Sequence, residues 1–186
     1  MNDRVLQIRT DALVAEYIYA IKLRNLWRIS IAITCLTILV PIMVFAALLI
    51  AKGTDYESAL NTASIVLSAL LLSLSVLSII LKLDQKRESF LIARRSNIYV
   101  SSEALKLIDK ADSELSWFYN YLAEMDSRDQ ENIGEVSEKL EQEAYRHSLK
   151  KLMPGRADTV CSVCHASPFK FIAGSCQVCG NTPKEI

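Results

Sequence analysis

Two long stretches without any charged residue constrain this chain more than any other feature of its sequence. They run from Ile29 to Ala51 and from Ser58 to Leu81 and contain 23 and 24 residues. As α-helices rising about 1.5 Å per residue, each reaches roughly 35 Å, which is enough to cross a hydrocarbon core of about 30 Å. A buried helix of a soluble protein is disfavoured, because such helices are usually shorter and carry a polar stripe. A secretory signal is also disfavoured, because no second apolar stretch is expected after one. The sequence therefore predicts a transmembrane helical hairpin over residues 29–81, with spans 29–51 and 58–81.

Basic residues predict how such a hairpin is oriented. Only Lys52 lies between the two stretches, whereas nine basic residues lie near their outer ends: Arg9, Lys22, Arg24, Arg28, Lys82, Lys86, Arg87, Arg94 and Arg95. Because basic residues tend to stay on the cytoplasmic side of a membrane, we expect both termini in the cytoplasm. The connection from Lys52 to Glu57 has six residues and includes Gly53, which indicates a tight turn.

The spacing of apolar residues predicts cytoplasmic helices on both sides of the hairpin. Residues 1–28 form an amphipathic helix, which we expect to pack on the other cytoplasmic helices because its acidic residues disfavour a position on the membrane surface. Residues 82–153 form a cytoplasmic helical region. In it, 82–126 is one long helix or two helices with a bend near 100–102, and a further helix covers 132–152.

An apolar seam in this helical region repeats at alternating steps of three and four residues. Its members are Ile108, Ala111, Leu115, Phe118, Leu122 and Met125. Such a seam is typical of a short coiled coil, but three heptads do not distinguish self-association from packing on another helix of the same chain. Both alternatives stay open from the sequence.

The most specific chemical signal lies within residues 156–186. Cys161 and Cys164 form one C-x-x-C pair, and Cys176 and Cys179 form a second pair eleven residues later. Four thiolates at this spacing can surround one metal ion tetrahedrally, so we predict a small zinc ribbon with Zn²⁺ as its occupant. Disulfides are the alternative, but they do not persist in a reducing cytoplasm. An iron site of the rubredoxin type has the same ligands, yet nothing in the sequence indicates the redox partner that it needs.

We expect this site to be structural, because a closed four-cysteine site leaves no position for water. The unit has too few apolar residues to fold without a metal ion; they are Val163, Phe169, Phe171 and Ile172. His165 directly follows Cys164, and we expect it to be a bystander rather than a ligand.

No catalytic grouping stands out elsewhere in the chain. It contains two histidines and five glycines, with no phosphate-binding glycine loop and no serine nucleophile motif. The 21 basic and 21 acidic residues balance, so no overall charge attracts nucleic acid, although direct binding of nucleic acid stays open. We therefore predict an all-α membrane protein with a transmembrane helical hairpin, cytoplasmic helices and a small C-terminal zinc ribbon, and we expect it not to be an enzyme.

Small polar residues follow one face of each predicted span. In the second span the face consists of Asn61, Ser64, Ser68, Ser75 and Ser78, interrupted by Leu71, and the first span contributes Thr34 and Thr37. Such residues often mark close contact between helices. The sharper hypothesis is that several hairpins assemble with this face around a narrow wet path, which a ring of Leu71 side chains closes.

The layout over residues 1–150 resembles the SLATT superfamily, the two-transmembrane effectors of bacterial conflict systems. The shared features are a short N-terminal helix, two spans joined by a minimal loop, and a cytoplasmic helical extension. The tail resembles a bacterial mobile-element family defined by a C-x2-C-x11-C-x2-C pattern, which Cys161, Cys164, Cys176 and Cys179 match.

These resemblances imply a defence effector in the bacterial inner membrane. Such an effector assembles as a homo-oligomer in the lipid bilayer and permeabilises it when a separately encoded sensor detects invasion. In the superfamily those partners include nucleotide-signal synthases and reverse transcriptases. The alternative is a membrane-anchored adaptor, whose zinc ribbon recruits a protein or nucleic acid without conducting ions.

Overall fold

Helices form most of the chain in the computed structural model, which describes residues 2–152 and 159–184. In chain order they are α1 (Asp3–Ala51), α2 (Glu57–Ile80), α3 (Leu83–Leu107), α4 (Ser116–Ile133) and α5 (Glu138–Leu152), with a 3-10 turn at Asp112–Glu114. The described residues contain no β-strand, only an isolated antiparallel bridge between Ala173 and Asn181. The all-helical part of the predicted fold class is therefore confirmed.

Residues with positive φ separate several of the helices. Gly53, between α1 and α2, has a φ of +81°, and its N–H donates to Glu57 Oε2 at 2.8 Å. Lys82 lies between α2 and α3 with a φ of +51°, and Gly134 follows α4 with a φ of +57°. Because this conformation is incompatible with a continuing right-handed helix, each position ends a helix without a long loop.

Two helix boundaries differ from those expected from the sequence. α3 runs through residues 100–102 to Leu107, and the break falls at 108–115, where the 3-10 turn lies. α5 begins at Glu138, because residues 132 and 133 still belong to α4 and Gly134 ends that helix. Both alternatives for 82–126, one long helix and a bend near 100–102, are therefore wrong, and so is the helix start at 132. Apolar residues keep helical spacing across both turns, so the sequence pattern did not reveal that the helices end there.

Residues 24–87 form one of two compact units, and residues 1–23 with 88–186 form the other. In the first unit, many large apolar side chains point outward: Met43 is 70% exposed, Ile50 83% and Ile79 75%. Among the described residues, two helices are long and apolar enough to cross a membrane by length and composition, and the predicted spans lie on them.

In the second unit, an apolar core holds the N-terminal part of α1 against α3 and α4. Its buried members are Val5, Ala12, Val100, Ala104, Leu115, Phe118, Leu122 and Met125. The N-terminal segment therefore packs on the helices that follow the second span, as expected. Four members of the apolar seam, from Leu115 to Met125, belong to this core, so the seam packs within the chain.

Candidate metal centre

Two turns with the same backbone geometry bring the four cysteines together. In the first turn, the N–H of His165 donates to the carbonyl of Cys161 at 3.0 Å, and in the second the N–H of Gly180 donates to the carbonyl of Cys176 at 2.7 Å. The residue after each pair has a positive φ, +54° at His165 and +69° at Gly180. The two C-x-x-C pairs are therefore two copies of one local structure.

The sulfur atoms form one compact cluster. All four Sγ atoms lie within 4.8 Å of one another, and those of Cys164 and Cys179 are 3.4 Å apart. The four cysteines are buried, and no disulfide joins them. Around a tetrahedral metal with metal–sulfur distances of about 2.3 Å, neighbouring sulfurs lie roughly 3.8 Å apart. The cluster can therefore hold one four-coordinate metal ion, and His165 lies exposed outside it.

Backbone N–H groups favour negative charge on the cluster, while burial opposes it. Burial disfavours the thiolate of Cys176, but donation to its sulfur from the N–H groups of Cys179 and Val178 lowers its pKa to about 7. At Cys179 burial dominates, and it raises the pKa of that thiol despite an N–H bond from Asn181. Buried neighbouring thiols cannot all ionise without a cation between them, so a metal ion would complete the charge balance.

A short antiparallel backbone pairing flanks the second cysteine turn. The N–H of Thr182 donates to the carbonyl of Ile172 at 2.8 Å, and the N–H of Gly174 donates to that of Gly180 at 2.9 Å. Asn181 is almost fully buried, and its Oδ1 accepts from the N–H of Ile172 at 2.9 Å. A Cβ on Gly174 would lie 2.3 Å from the Cα of Thr182, so only glycine permits this pairing.

α5 holds the cysteine unit through apolar and polar contacts. Leu149 is buried together with the four cysteines, and Tyr145 packs against this cluster. Gln142 Nε2 donates to the carbonyl of Gln177 at 3.3 Å, and the guanidinium of Arg146 donates to the carbonyl of Cys179. The same guanidinium lies 4.0 Å from the ring centroid of Phe171, a cation–π contact.

The sequence did not identify these residues of α5 as part of the site. Gln142, Arg146 and Leu149 follow the helical spacing of three and four residues. The helix was predicted from its apolar residues, such as Leu140 and Ala144, and glutamine and arginine on a helix usually indicate a solvated face. Nothing in the pattern distinguishes a solvated arginine from one that donates to a metal-binding turn.

The predicted polar face of the spans divides into two groups. Ser64, Leu71, Ser75, Ser78 and Thr37 are half-buried, whereas Asn61, Ser68 and Thr34 are exposed. Half-buried positions recur every three or four residues along this part of both helices, including Ser30, Ile33, Thr37, Val40 and Val44 on α1 and Leu60, Ser64, Leu67, Leu71, Ser75 and Ser78 on α2. This is the pattern of two helices that pack along one face, so the half-buried group lies where α1 and α2 meet.

Several hydroxyl groups on these helices donate to their own backbone. Thr34 Oγ1 donates to the carbonyl of Ser30 at 2.9 Å, and Ser64 Oγ donates to that of Asn61 at 2.7 Å. Thr37 Oγ1 donates to the carbonyl of Thr34 at 3.0 Å. Bonds of this kind satisfy a hydroxyl without water or a neighbouring helix. These three residues are therefore compatible with an apolar environment.

A protein-family model matches nearly the whole chain. It is described as "Mobilome CxxCx(11)CxxC protein", and it covers residues 2–182. The match includes the four clustered cysteines and also the helices that precede them. No curated protein and no solved structure matches this chain.

Proposed function

This chain belongs to the family of mobilome CxxCx(11)CxxC proteins, and from that premise we propose that it is a membrane effector of a bacterial defence system. It oligomerises in the inner membrane and forms a pore or disrupts the bilayer when a separately encoded sensor protein engages it. The sensor belongs to a nucleotide-signal or reverse-transcriptase system, as in the SLATT superfamily that the layout resembles. The chain acts by binding and assembly rather than by catalysing a reaction.

The apolar exterior of residues 24–87 carries this proposal. Exposed large apolar side chains follow both helices of that unit, including Leu39, Met43 and Ile50 on α1 and Ile65, Leu72 and Ile79 on α2. Monomeric soluble proteins rarely expose a continuous apolar surface of this kind, whereas a lipid bilayer solvates it. A membrane-spanning hairpin accounts for the surface without requiring any other partner.

Zinc is the metal that we assign to the four cysteines. The closed set of sulfur ligands gives the ion no open position, so its role is to hold the two turns together. We expect purified protein to contain about one equivalent of zinc by elemental analysis. Iron in place of zinc, or less than half an equivalent of zinc without iron, contradicts the assignment.

We propose that both termini lie in the cytoplasm. The basis is the ratio of nine basic residues outside the spans to one between them. Alkaline phosphatase fused after residue 186 should then be inactive in cells, while the same enzyme inserted after Gly53 should be active. Activity at the C-terminal fusion would overturn the orientation.

Membrane permeabilisation is tested most sharply by two serines on different faces of α2. Ser68 is exposed, whereas Ser75 is half-buried in the face that recurs every three or four residues. If the exposed polar face lines a wet path in the oligomer, Ser68→Leu blocks permeabilisation at unchanged protein level. Ser75→Leu instead disturbs hairpin packing and lowers the amount of protein in the membrane.

Leu71 is the proposed closure of that path, which requires its side chain to leave the half-buried contact face when the hairpins assemble. Leu71→Ser should make the protein leaky without its trigger, which a membrane-potential dye detects in cells at matched expression. A Leu71→Ser variant that is silent both alone and with the trigger contradicts the gate.

The second candidate is a membrane-anchored adaptor. It is favoured by the apolar side chains of the cysteine unit that point to solvent, such as Val163 and Ile172. An adaptor recruits a protein or nucleic acid and leaves the membrane intact. The two candidates are separated by inducing expression of this protein together with its neighbouring genes and measuring the membrane potential. An effector collapses the membrane potential, and an adaptor does not.

A further inference from the structure

The large apolar side chains of the cysteine unit do not form its core. Val163 is 62% exposed and Ile172 68%, and Phe169 and Phe171 are also exposed. The buried positions belong instead to the four cysteines, Thr159, Pro168, Gly180 and Asn181. Because the metal site and α5 stabilise the unit, these apolar side chains are not needed for its folding. They remain available for binding.

Two of these side chains form the wall of a cleft. Phe169 and Ile172, together with Val160, Ala166 and Pro183, line a cleft of about 850 Å³ on this unit. The volume is large enough for several side chains of a partner. Val163 lies outside this lining, as does Phe171, which is covered on one side by Arg146. The cleft therefore includes only some of the exposed apolar side chains of this unit.

The charged groups at the cleft have one sign. Lys170 and Lys184 line it, His165 lies beside them, and residues 159–184 contain no aspartate or glutamate. The sulfur atoms of the metal site are buried, so an approaching group meets the lysines first. Two lysines and no arginine are too few for the several phosphate contacts of nucleic-acid binding. An apolar wall with two ammonium groups instead complements a peptide that carries a large apolar side chain next to a carboxylate.

We propose that this cleft is the docking site for an acidic, apolar peptide segment of the protein that triggers the effector. A large apolar side chain of that segment enters between Phe169 and Ile172, and a neighbouring carboxylate pairs with Lys184 or Lys170. This assignment rests on the proposed function, since it names the surface that the sensor engages. It differs from that function in requiring no conduction by the membrane unit.

Selection of peptides against the full chain in detergent micelles tests the proposal directly. The probe is a display library of random 12-residue peptides. We expect the recovered peptides to share a leucine, phenylalanine or tryptophan next to aspartate or glutamate. Failure to enrich any such motif overturns the proposal, and so does enrichment of basic peptides.

Substitutions then locate the binding site. Ile172→Ser should weaken the best peptide at least tenfold, while Val163→Ser, at an equally exposed position outside the cleft, should leave its affinity unchanged. Lys184→Glu should weaken acidic peptides, and exchanging the peptide carboxylate for lysine should restore binding to that variant. Each variant must retain one equivalent of zinc, which shows that the unit is folded.

Two outcomes would show that the peptide assignment is wrong. One is equal peptide affinity for the Ile172→Ser and unchanged chains. The other is binding of a single-stranded 20-nucleotide DNA that depends on Ile172. These measurements do not involve membrane potential. They can therefore contradict the docking site without contradicting the effector function, and the membrane-potential measurements can contradict the effector function without contradicting the docking site.

Discussion

The two buried clusters of the unit formed by residues 1–23 and 88–186 are built by different means. The larger cluster joins three helices through aliphatic and aromatic side chains such as Val5, Val100 and Phe118. The smaller one consists of four cysteines and Leu149, while the apolar side chains nearby in sequence point to solvent. The first is stabilised by removal of apolar surface from water, whereas the second can hold a metal ion, on which we propose that its stability depends. Disturbing each cluster in turn tests this contrast.

Removal of the metal should have the largest effect. Structural zinc contributes about 10 to 16 kcal/mol in comparable peptides, so a chelator or Cys176→Ser should unfold residues 159–184. Hydrogen exchange measured on the full chain should show loss of amide protection there and little change around Phe118. Cys35→Ser is the control, because Cys35 is exposed on α1 and is not one of the four clustered cysteines. Persistent protection of the tail without metal would contradict the dependence.

A cavity in the apolar cluster should have the next largest effect. Phe118 is fully buried, and truncation of a buried phenylalanine costs about 3 to 5 kcal/mol. Phe118→Ala should therefore lower the midpoint of chemical unfolding of α3 and α4 without changing the zinc content. Trp117→Ala is the comparison on the half-exposed side of the same helix; it removes an edge-to-face contact with the Phe118 ring and should cost less, about 0.5 to 1.5 kcal/mol. If Phe118→Ala released zinc, the two clusters would not be independent.

Gly174 offers a smaller test within the metal-dependent region. Its φ is not positive, but a Cβ there would lie 2.3 Å from backbone atoms of Thr182 and 2.6 Å from its Oγ1. We expect Gly174→Ala to cost about 1 to 3 kcal/mol by overpacking and to raise the rate at which a chelator removes zinc. The comparison is Gly134→Ala, which has open space but a φ of +57° and should affect only the helical region. Equal zinc release from both variants would contradict this steric explanation.

The smallest effect is expected where the two clusters are linked by charge. Glu16 of α1 pairs with Lys151 of α5 at 3.0 Å and with Arg94 of α3 at 3.8 Å. Both basic side chains are substantially exposed, so Glu16→Gln should cost about 1 kcal/mol or less, and the loss should shrink at high salt. Glu103→Gln removes a local pair with Lys106 and is the control for charge alone. A loss of several kcal/mol at Glu16 would show that the link is stronger than an exposed ion pair.

Sequence patterns predicted the features that depend on local spacing. The C-x-x-C pairs identified the sulfur cluster, because each pair forms its turn through hydrogen bonds within five residues. Uncharged length identified α2 and the second half of α1, since helix length and apolar composition are both read directly from the chain. The sequence also favoured packing of residues 1–28 on the helices that follow the spans.

Features that depend on distant residues were not predicted. The turn at 108–115 was hidden because Ile108, Leu115 and Phe118 keep helical spacing across it. Docking of the cysteine unit on α5 depends on Arg146 and Gln142, whose partners are carbonyl groups more than thirty residues away. Every residue carries the same backbone carbonyl, so no sequence pattern could have predicted which carbonyls accept these hydrogen bonds. The same limit applies to the outward orientation of Phe169 and Ile172.

The two halves of the repeated cysteine turn differ in how readily they accept a side chain. At the residue after each pair the backbone is the same, yet a Cβ on Gly180 would lie 2.5 Å from Gln142 Oε1, whereas His165 is exposed. The two positions thus differ in their surroundings. Position 165 is consequently a place to attach a fluorescent reporter for the cysteine cluster, while a side chain at position 180 would have to displace Gln142 and adopt a backbone conformation that favours glycine.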